Sequence, residues 1–320
     1  MQKGCDMIHT VTFNPSIDVT IRLKRIIFGQ AHVLEPPLED AGGKGMNAAR
    51  ALQELGMPVT AWAFIAGSRG EHWLKLATRS GIPLYPAWLE GETRQNFKIF
   101  EEDLSRQTDL NFPGVLFDQK ACQNFLHQIG ESLNPGDIVV LAGSVLQETP
   151  PVFWKKLAEA VQGCQAMLVV DMAGQALREI AKWDPWLVKI NREEFNEWMG
   201  KDFRNLAAIQ EFLEKPNPLL SSHLVVTDGP HGALLKSREG SCVVINAPKV
   251  KVEGTVGAGD AFLAGLLTGW IGSSGIWLEA MRWGMATATG AVMMAGTRFP
   301  DRESVEAILE KYLSPSDAQD

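Results

Sequence analysis

Four short apolar runs, each cut off by a small or polar residue, limit what this chain can fold into more than any other feature. Ile138-Val-Val-Leu141, Met167-Leu-Val-Val170, Leu187-Val-Lys-Ile190 and Leu224-Val-Val226 lead into Ala142-Gly143-Ser144, Asp171, Asn191 and Thr227-Asp228-Gly229, respectively. A short, nearly unbroken run of aliphatic residues suits a strand buried on both faces, as in a parallel sheet covered by helices. Helical spacing fills the gaps: Phe125, Leu126, Ile129 and Leu133; Phe153, Leu157, Ala160 and Val161; and later Phe262, Leu263, Leu266, Leu267 and Trp270. This alternation predicts an α/β fold with a doubly wound, mostly parallel sheet flanked by helices. Such a sheet delivers the polar residue at the end of each run to one edge, where ligands bind. Residues 14–40 and 88–113 break the rhythm with extended polar segments, and are expected to form a small β lid over that edge. With no internal repeat or linker, residues 1–320 are expected to make one domain.

Composition excludes some partners. A net charge of −8 argues against broad nucleic-acid binding, which needs an excess of Lys and Arg to neutralise phosphates. An acidic protein that handles an anion must gather cations locally, so each Lys or Arg beside a glycine loop is informative. Cys5, Cys122, Cys164 and Cys242 are scattered, with no C-x-x-C pair and no His at metal-ligand spacing, and read as isolated buried thiols. Asp6, His9 and Asn14 interrupt any signal-peptide core, and the longest apolar stretch, residues 261–271, is too short to span a bilayer. A cytoplasmic protein without a membrane partner is expected.

Two glycine-bearing loops carry chemistry. Thr255-Val256-Gly257-Ala258-Gly259-Asp260 runs straight into an apolar helix. Small residues at a helix N-terminus leave backbone N–H groups free to face an anion, with the helix dipole adding positive potential. Asp260 sits beside that spot, either as a base for an attacking hydroxyl or as an ordinary N-cap. Ala41-Gly42-Gly43-Lys44-Gly45-Met46-Asn47-Ala48-Ala49 opens a second helix, where paired glycines admit a ligand and Lys44 and Asn47 supply a charge and an amide. Gly43, Gly45 and Ala48 mimic a dinucleotide fingerprint, but Pro36 and Pro37 disfavour the strand it needs and residues 60–66 hold no acid. Neither loop has the Gly-Lys-Ser/Thr of a P-loop.

Together with Thr12-Phe-Asn-Pro-Ser-Ile-Asp18 and Thr93-Arg-Gln-Asn96, these loops resemble the ribokinase-like (PfkB) carbohydrate kinase family over nearly the whole chain. The match is to the branch containing 1-phosphofructokinase, tagatose-6-phosphate kinase and the minor 6-phosphofructokinase. The resemblance implies ATP and Mg²⁺, with Asp260 as catalytic base and Gly257, Ala258 and Gly259 as anion hole. It implies sugar binding by Asp18, Gly42, Gly43, Lys44, Asn47, Arg94 and Ser144. Asn191 and Glu194, with help from Asp171, would organise Mg²⁺ through water, although N-x-x-E is also a capping pattern. Lys189 and Asn191 would meet the nucleotide's phosphates, and Thr227, Gly229 and Gly232 its remaining part. The implied reaction moves the γ-phosphoryl group to a hydroxyl of a sugar phosphate. A kinase for a free sugar or nucleoside, and a silent sugar- or nucleotide-binding regulator, stand as alternatives.

Departures from the family pattern bear on the acceptor. Ser144-Val-Leu-Gln-Glu148 replaces S-L-P-P-G, and Gln30 and His32 stand where this branch usually carries basic residues. Arg22, Lys24 and Arg25 would substitute if the lid folds them inward. Ile21, Leu23, Ile26 and Ile27 would leave the lid with apolar edges, so a homodimer formed through it is expected.

Overall fold

The computed structural model describes residues 7–104, 106–215 and 221–313. Their strands, numbered in chain order, make two sheets. The larger holds β1 (Ile8–Thr12), β4 (Val59–Ala66), β5 (Leu84–Leu89), β8 (Ile138–Ala142), β9 (Met167–Asp171), β10 (Leu187–Asn191), β11 (His223–Thr227), β12 (Ala233–Lys236) and β13 (Cys242–Ile245). Its order is β13-β12-β11-β10-β9-β8-β1-β4-β5, parallel from β11 to β5 and antiparallel at β12 and β13. The four apolar runs are its four consecutive strands β8, β9, β10 and β11.

Alternate side chains of these strands enter two separate cores. Val140 and Val169 pack with helices Lys44–Glu54, Ala258–Gly272 and Trp277–Val292, whereas Val139, Leu141, Leu168 and Val170 pack with Gln119–Ser132, Pro151–Gly163 and Gly174–Ile180. Burial on both faces is what makes the runs continuously apolar. Helices Ala258–Gly272 and Trp277–Val292 touch closely because Gly265 and Gly269 have no Cβ, which would otherwise overlap Thr287 and Trp283.

The chain leaves β1 towards β4 and β5 on one side, and returns through β8 to build the other. The order therefore reverses between β1 and β8, and the crevice outside their C-terminal ends is the expected ligand site. Over it stands a four-stranded sheet, β3 (Leu38–Gly42), β2 (Ser16–Leu23), β6 (Arg94–Glu101) and β7 (Arg106–Leu110), in that order. Thr93 latches this lid to the large sheet: its N–H donates to the Ala66 carbonyl and its hydroxyl accepts from the Ala66 N–H, both at 2.9 Å.

Some sequence expectations need correction. A strand does precede the second glycine loop: β3 begins directly after Pro37, because proline restricts its own and the preceding residue but not the next. It is a lid strand antiparallel to β2, not the parallel strand of a dinucleotide fold. Trp88 belongs to β5 of the large sheet, so the second lid segment starts later than residue 88. Leu23 is buried and Ile21 and Ile26 are half-buried; the exposed apolar side chains of the first lid segment are Ile27, Phe28, Val33, Leu34 and Leu38, most of them in the loop after β2. Cys122 is buried, Cys164 and Cys242 are half-buried free thiols, and Cys5 and Asp6 lie outside the described residues. No helix among the described residues is long and apolar enough to cross a membrane.

Candidate active site

The first glycine loop closes as its composition demands. Gly257, at φ 82°, is the N-cap of helix Ala258–Gly272, a left-handed conformation that a side chain would strain. Asp260 is three residues further on, inside the first turn, and so is not the N-cap. Its Oδ2 instead accepts from Asn47 Nδ2 at 2.9 Å, joining the two glycine-bearing helices. The carboxyl is 5% exposed. Burial, reinforced by the nearby Asp171 charge, pushes its pKa up to about 6, while Lys44, Lys189 and Asn47 oppose the rise.

Below the loop lies a chain of charges. Asp171, fully buried at the end of β9, is shared by Lys189 Nζ at 2.8 Å and Lys44 Nζ at 3.2 Å. Burial alone would raise this carboxyl, but the two ammonium groups outweigh it and hold its pKa below the ordinary value. Asp171 raises the Lys44 ammonium in turn, against the pull of burial, with Glu194 and Asp260 adding to the effect. A Cβ placed on Gly259 would come to 3.1 Å from Lys189 Nζ. The glycine loop and a buried cation thus face one another, as an anion hole requires.

Lys44 opens the helix Lys44–Glu54 directly after its N-cap, Gly43. Its ammonium turns from the glycine loop towards Asp171 and stands 3.7 Å from Glu194 Oε1. Asn191 and Glu194 form a reciprocal capping box, with Glu194 N–H donating to Asn191 Oδ1 at 2.8 Å and Asn191 N–H to Glu194 Oε2 at 2.9 Å. Capping occupies Oε2 and leaves Oε1 turned towards Lys44, so the structural role does not exclude a functional one. Among the described residues no three His, Cys, Asp or Glu side chains cluster so as to grip a metal directly. Thr227 ends β11 with its hydroxyl on the Ile190 carbonyl, and Gly229 and Gly232 bound the turn into β12.

Across the crevice, Asn14 Nδ2 donates to Ser144 Oγ at 3.2 Å, spanning the β1–β8 switch point. Arg94, the first residue of β6, donates to the Asn14 carbonyl at 3.0 Å, the Phe112 carbonyl at 3.2 Å and Ser144 Oγ at 3.4 Å. Its Nε is buried with no partner among the described residues. Asp18 lies against Gly42, where a Cβ would overlap its carboxylate. Trp73 Nε1 holds the Gly42 carbonyl at 3.0 Å, and Gly43, at φ 126°, caps helix Lys44–Glu54.

The fold therefore assembles Asp18, Asn47, Arg94, Ser144, Asp171, Lys189, Asn191, Glu194 and Asp260 on one edge. Sequence reasoning missed Lys98, whose Nζ reaches Asp18 Oδ2 at 2.9 Å, and Ser16, whose hydroxyl donates to Asp18 Oδ1 at 2.7 Å. One signal was available: Arg94, Asn96 and Lys98 alternate along β6 and so share a face. Arg22 does not fold inward; it lies over the Phe100 ring, 5.0 Å from its centroid.

A buried carboxylate with its pKa pushed up to about 6, beside a glycine-capped helix N-terminus that faces a buried lysine, suits a phosphotransferase that acts on a hydroxyl. Residues 12–304 match the pfkB family carbohydrate kinases, and the chain belongs to that family. It is an enzyme, a carbohydrate kinase, and ATP is the phosphoryl donor such kinases use. The chain is 32% identical over 263 residues to the 1-phosphofructokinase of Bacillus subtilis (strain 168), covering 82% of this chain and 85% of that one. Its structure is similar to phosphofructokinase-2 from Escherichia coli in complex with potassium, with TM-score 0.88 and 26% identity over 97% of this chain and 99% of that one. Arabidopsis thaliana ribokinase complexed with ribose and ATP shares the fold, with TM-score 0.74 and 19% identity over 96% and 99% of the two chains.

Proposed function

We propose that this kinase transfers the γ-phosphoryl group of ATP to a hydroxyl of a phosphorylated ketohexose. The observation that carries the reading is Arg94: a guanidinium at the switch point with a buried, unpartnered Nε. A guanidinium with a spare donor grips phosphate well and is costly to leave unpaired. The names of the relatives in Bacillus subtilis and Escherichia coli agree with a phosphorylated acceptor.

In the reaction proposed, the acceptor hydroxyl lies between Asp18 and Asp260. Asp260 takes its proton as the oxygen attacks the γ-phosphorus, the bond to the β-phosphate oxygen breaks, and ADP departs. The N–H groups of residues 257–259 and the Lys189 ammonium meet the charge on the transferring group. Lys44, tied to Asp171 and facing Glu194, spans the boundary between acceptor and nucleotide. Thr227, Gly229 and Gly232 border the nucleotide's far end. Mg²⁺ fits this donor set only as an ion borne by the nucleotide, held through water by Glu194 Oε1 and Asn191, because Asp171 is already committed to two lysines. There it would neutralise phosphate charge.

An ADP-release assay across sugars and sugar phosphates, with and without Mg²⁺, tests this reading. Turnover should require Mg²⁺, and the best phosphorylated ketohexose should exceed its neutral counterpart at least about tenfold in kcat/KM, matching a charge-assisted hydrogen bond of about 1.5–3 kcal/mol. Free fructose or ribose used as efficiently as fructose 6-phosphate, fructose 1-phosphate or tagatose 6-phosphate would promote the free-sugar reading. We also propose that a second copy covers the exposed Ile27, Phe28, Val33, Leu34 and Leu38 of the lid. A monomer in sedimentation at micromolar concentration contradicts that assignment.

A further inference from the structure

Lys98 is the cation that neither glycine loop nor the lid loop accounts for. Lysine seldom lies deep in a fold unless it is paired, yet this side chain is only 18% exposed. It stands on β6, which pairs with β2 in the register Ser16↔Arg94, Asp18↔Asn96 and Thr20↔Lys98. The period of two along a strand places Arg94, Asn96 and Lys98 on one face, with Asp18 on the neighbouring strand between them. Both oxygens of Asp18 are consequently tied. Oδ1 accepts from Ser16 Oγ at 2.7 Å and from Asn96 Nδ2 at 3.4 Å, and Oδ2 pairs with Lys98 Nζ at 2.9 Å. Gly42 closes the fourth side, having no Cβ to strike the carboxylate.

Building on the proposed function, in which Asp18 binds acceptor hydroxyls, we propose that Lys98 is a positioning residue for the sugar: it fixes the Asp18 carboxylate in the orientation that accepts the acceptor's hydrogen bonds. A carboxylate on a short side chain turns about its last torsion with little resistance, and a carboxylate free to turn must be ordered when ligand binds. Ser16 and Asn96 both act on Oδ1 and leave that rotation partly open. Lys98 supplies the contact on the other oxygen and closes it. The ammonium also screens Asp18 from a negatively charged acceptor, which an unpaired carboxylate in the same crevice would repel. Arg50, within electrostatic reach of Asp18 and Asp40, does not replace it, since Asp40 shares its charge. On this account β6 carries both ends of acceptor recognition, through Arg94 directly and through Lys98 by way of Asp18.

The test is a mutant cycle on Asp18 and Lys98, read by steady-state kinetics and, without ATP, by calorimetric binding of fructose 6-phosphate and fructose 1-phosphate. Lys98→Met should weaken acceptor binding and raise acceptor KM about tenfold while kcat changes less than about threefold and KM for ATP stays put. Lys98→Arg should recover most of the loss. Asp18→Asn/Lys98→Met should bind no worse than Asp18→Asn alone, because residues that act as one unit are non-additive. A Lys98→Met enzyme with unchanged acceptor affinity overturns the proposal, and so do additive losses in the double variant. Those outcomes leave the proposed function intact as long as the wild type binds and phosphorylates a sugar phosphate. A wild type that binds neither probe, nor tagatose 6-phosphate, overturns both.

Discussion

The two sides of the crevice are built differently. On the side proposed for catalysis, charges come from β9 and β10 of the large sheet and from the first turns of helices packed beside it. Asp171, Lys189 and Asp260 are buried there, and each has its partner within the protein. On the lid side, Asp18, Arg94 and Lys98 stand on β2 and β6 of the small sheet, and Arg94 keeps a donor in reserve. The first arrangement is complete before any ligand arrives, which is what electrostatic stabilisation of a transition state demands. The second is left unfinished, as a selective binding surface must be. Chemistry and acceptor choice should therefore break separately.

The largest expected effect is on the catalytic side. Asp260→Asn should lower kcat by at least roughly 10²-fold, the usual scale for loss of a general base, and leave ATP and acceptor binding nearly unchanged. Near-wild-type kcat removes Asp260 from the mechanism. The same variant should show the cost of holding that carboxylate dry. Because the folded-state pKa of about 6 lies above the ordinary value of 3.8, the stabilising contribution of the neutral acid is whole below that ordinary value and is lost as pH rises through 6. At pH 8 Asp260→Asn should thus melt a few degrees above wild type, at roughly 2–4 °C per kcal/mol, with the gap closing near pH 4. A lower Tm at pH 8 would contradict that sign.

A smaller, different effect is expected from the lid. Arg94→Ala should raise KM for the sugar phosphate by roughly tenfold or more, in keeping with a lost charge-assisted hydrogen bond, while KM for ATP moves little. Equal losses for both substrates would mean that the two sides are not separable after all.

The same division decides what can be read from the sequence. The strands β8 to β11 are plain because burial on both faces leaves unbroken aliphatic runs. The equally buried β1 and β4 hide behind His9, Thr60 and Trp62, whose polar atoms meet one another only in the fold, with Thr60 Oγ1 and His9 Nδ1 2.9 Å apart. Asp260 and its glycines are legible because anion hole and base are neighbours in the chain. Lys98 looks like an ordinary strand lysine until Asp18, 80 residues earlier, is brought across from it. Lys44 stands beside glycines in the chain, while its partner Asp171 is 127 residues away and meets it only in the fold. Local spacing reveals sites built from one segment, while pairs made across the sheet need the register.

The most direct test of the division is the pH dependence of kcat/KM for the best acceptor, measured on wild type and on Asp260→Asn. Substrate phosphates titrate near neutrality as well, and the variant's residual rate isolates their share, so the difference between the two profiles reports the carboxyl alone. That difference should show wild-type activity falling about tenfold per pH unit below an apparent pKa near 6, the position to which burial and Asp171 push Asp260. Parallel profiles, or a limb belonging to Asp260 only near pH 4, would contradict the assignment of a dry, pre-built base at the N-terminus of helix Ala258–Gly272.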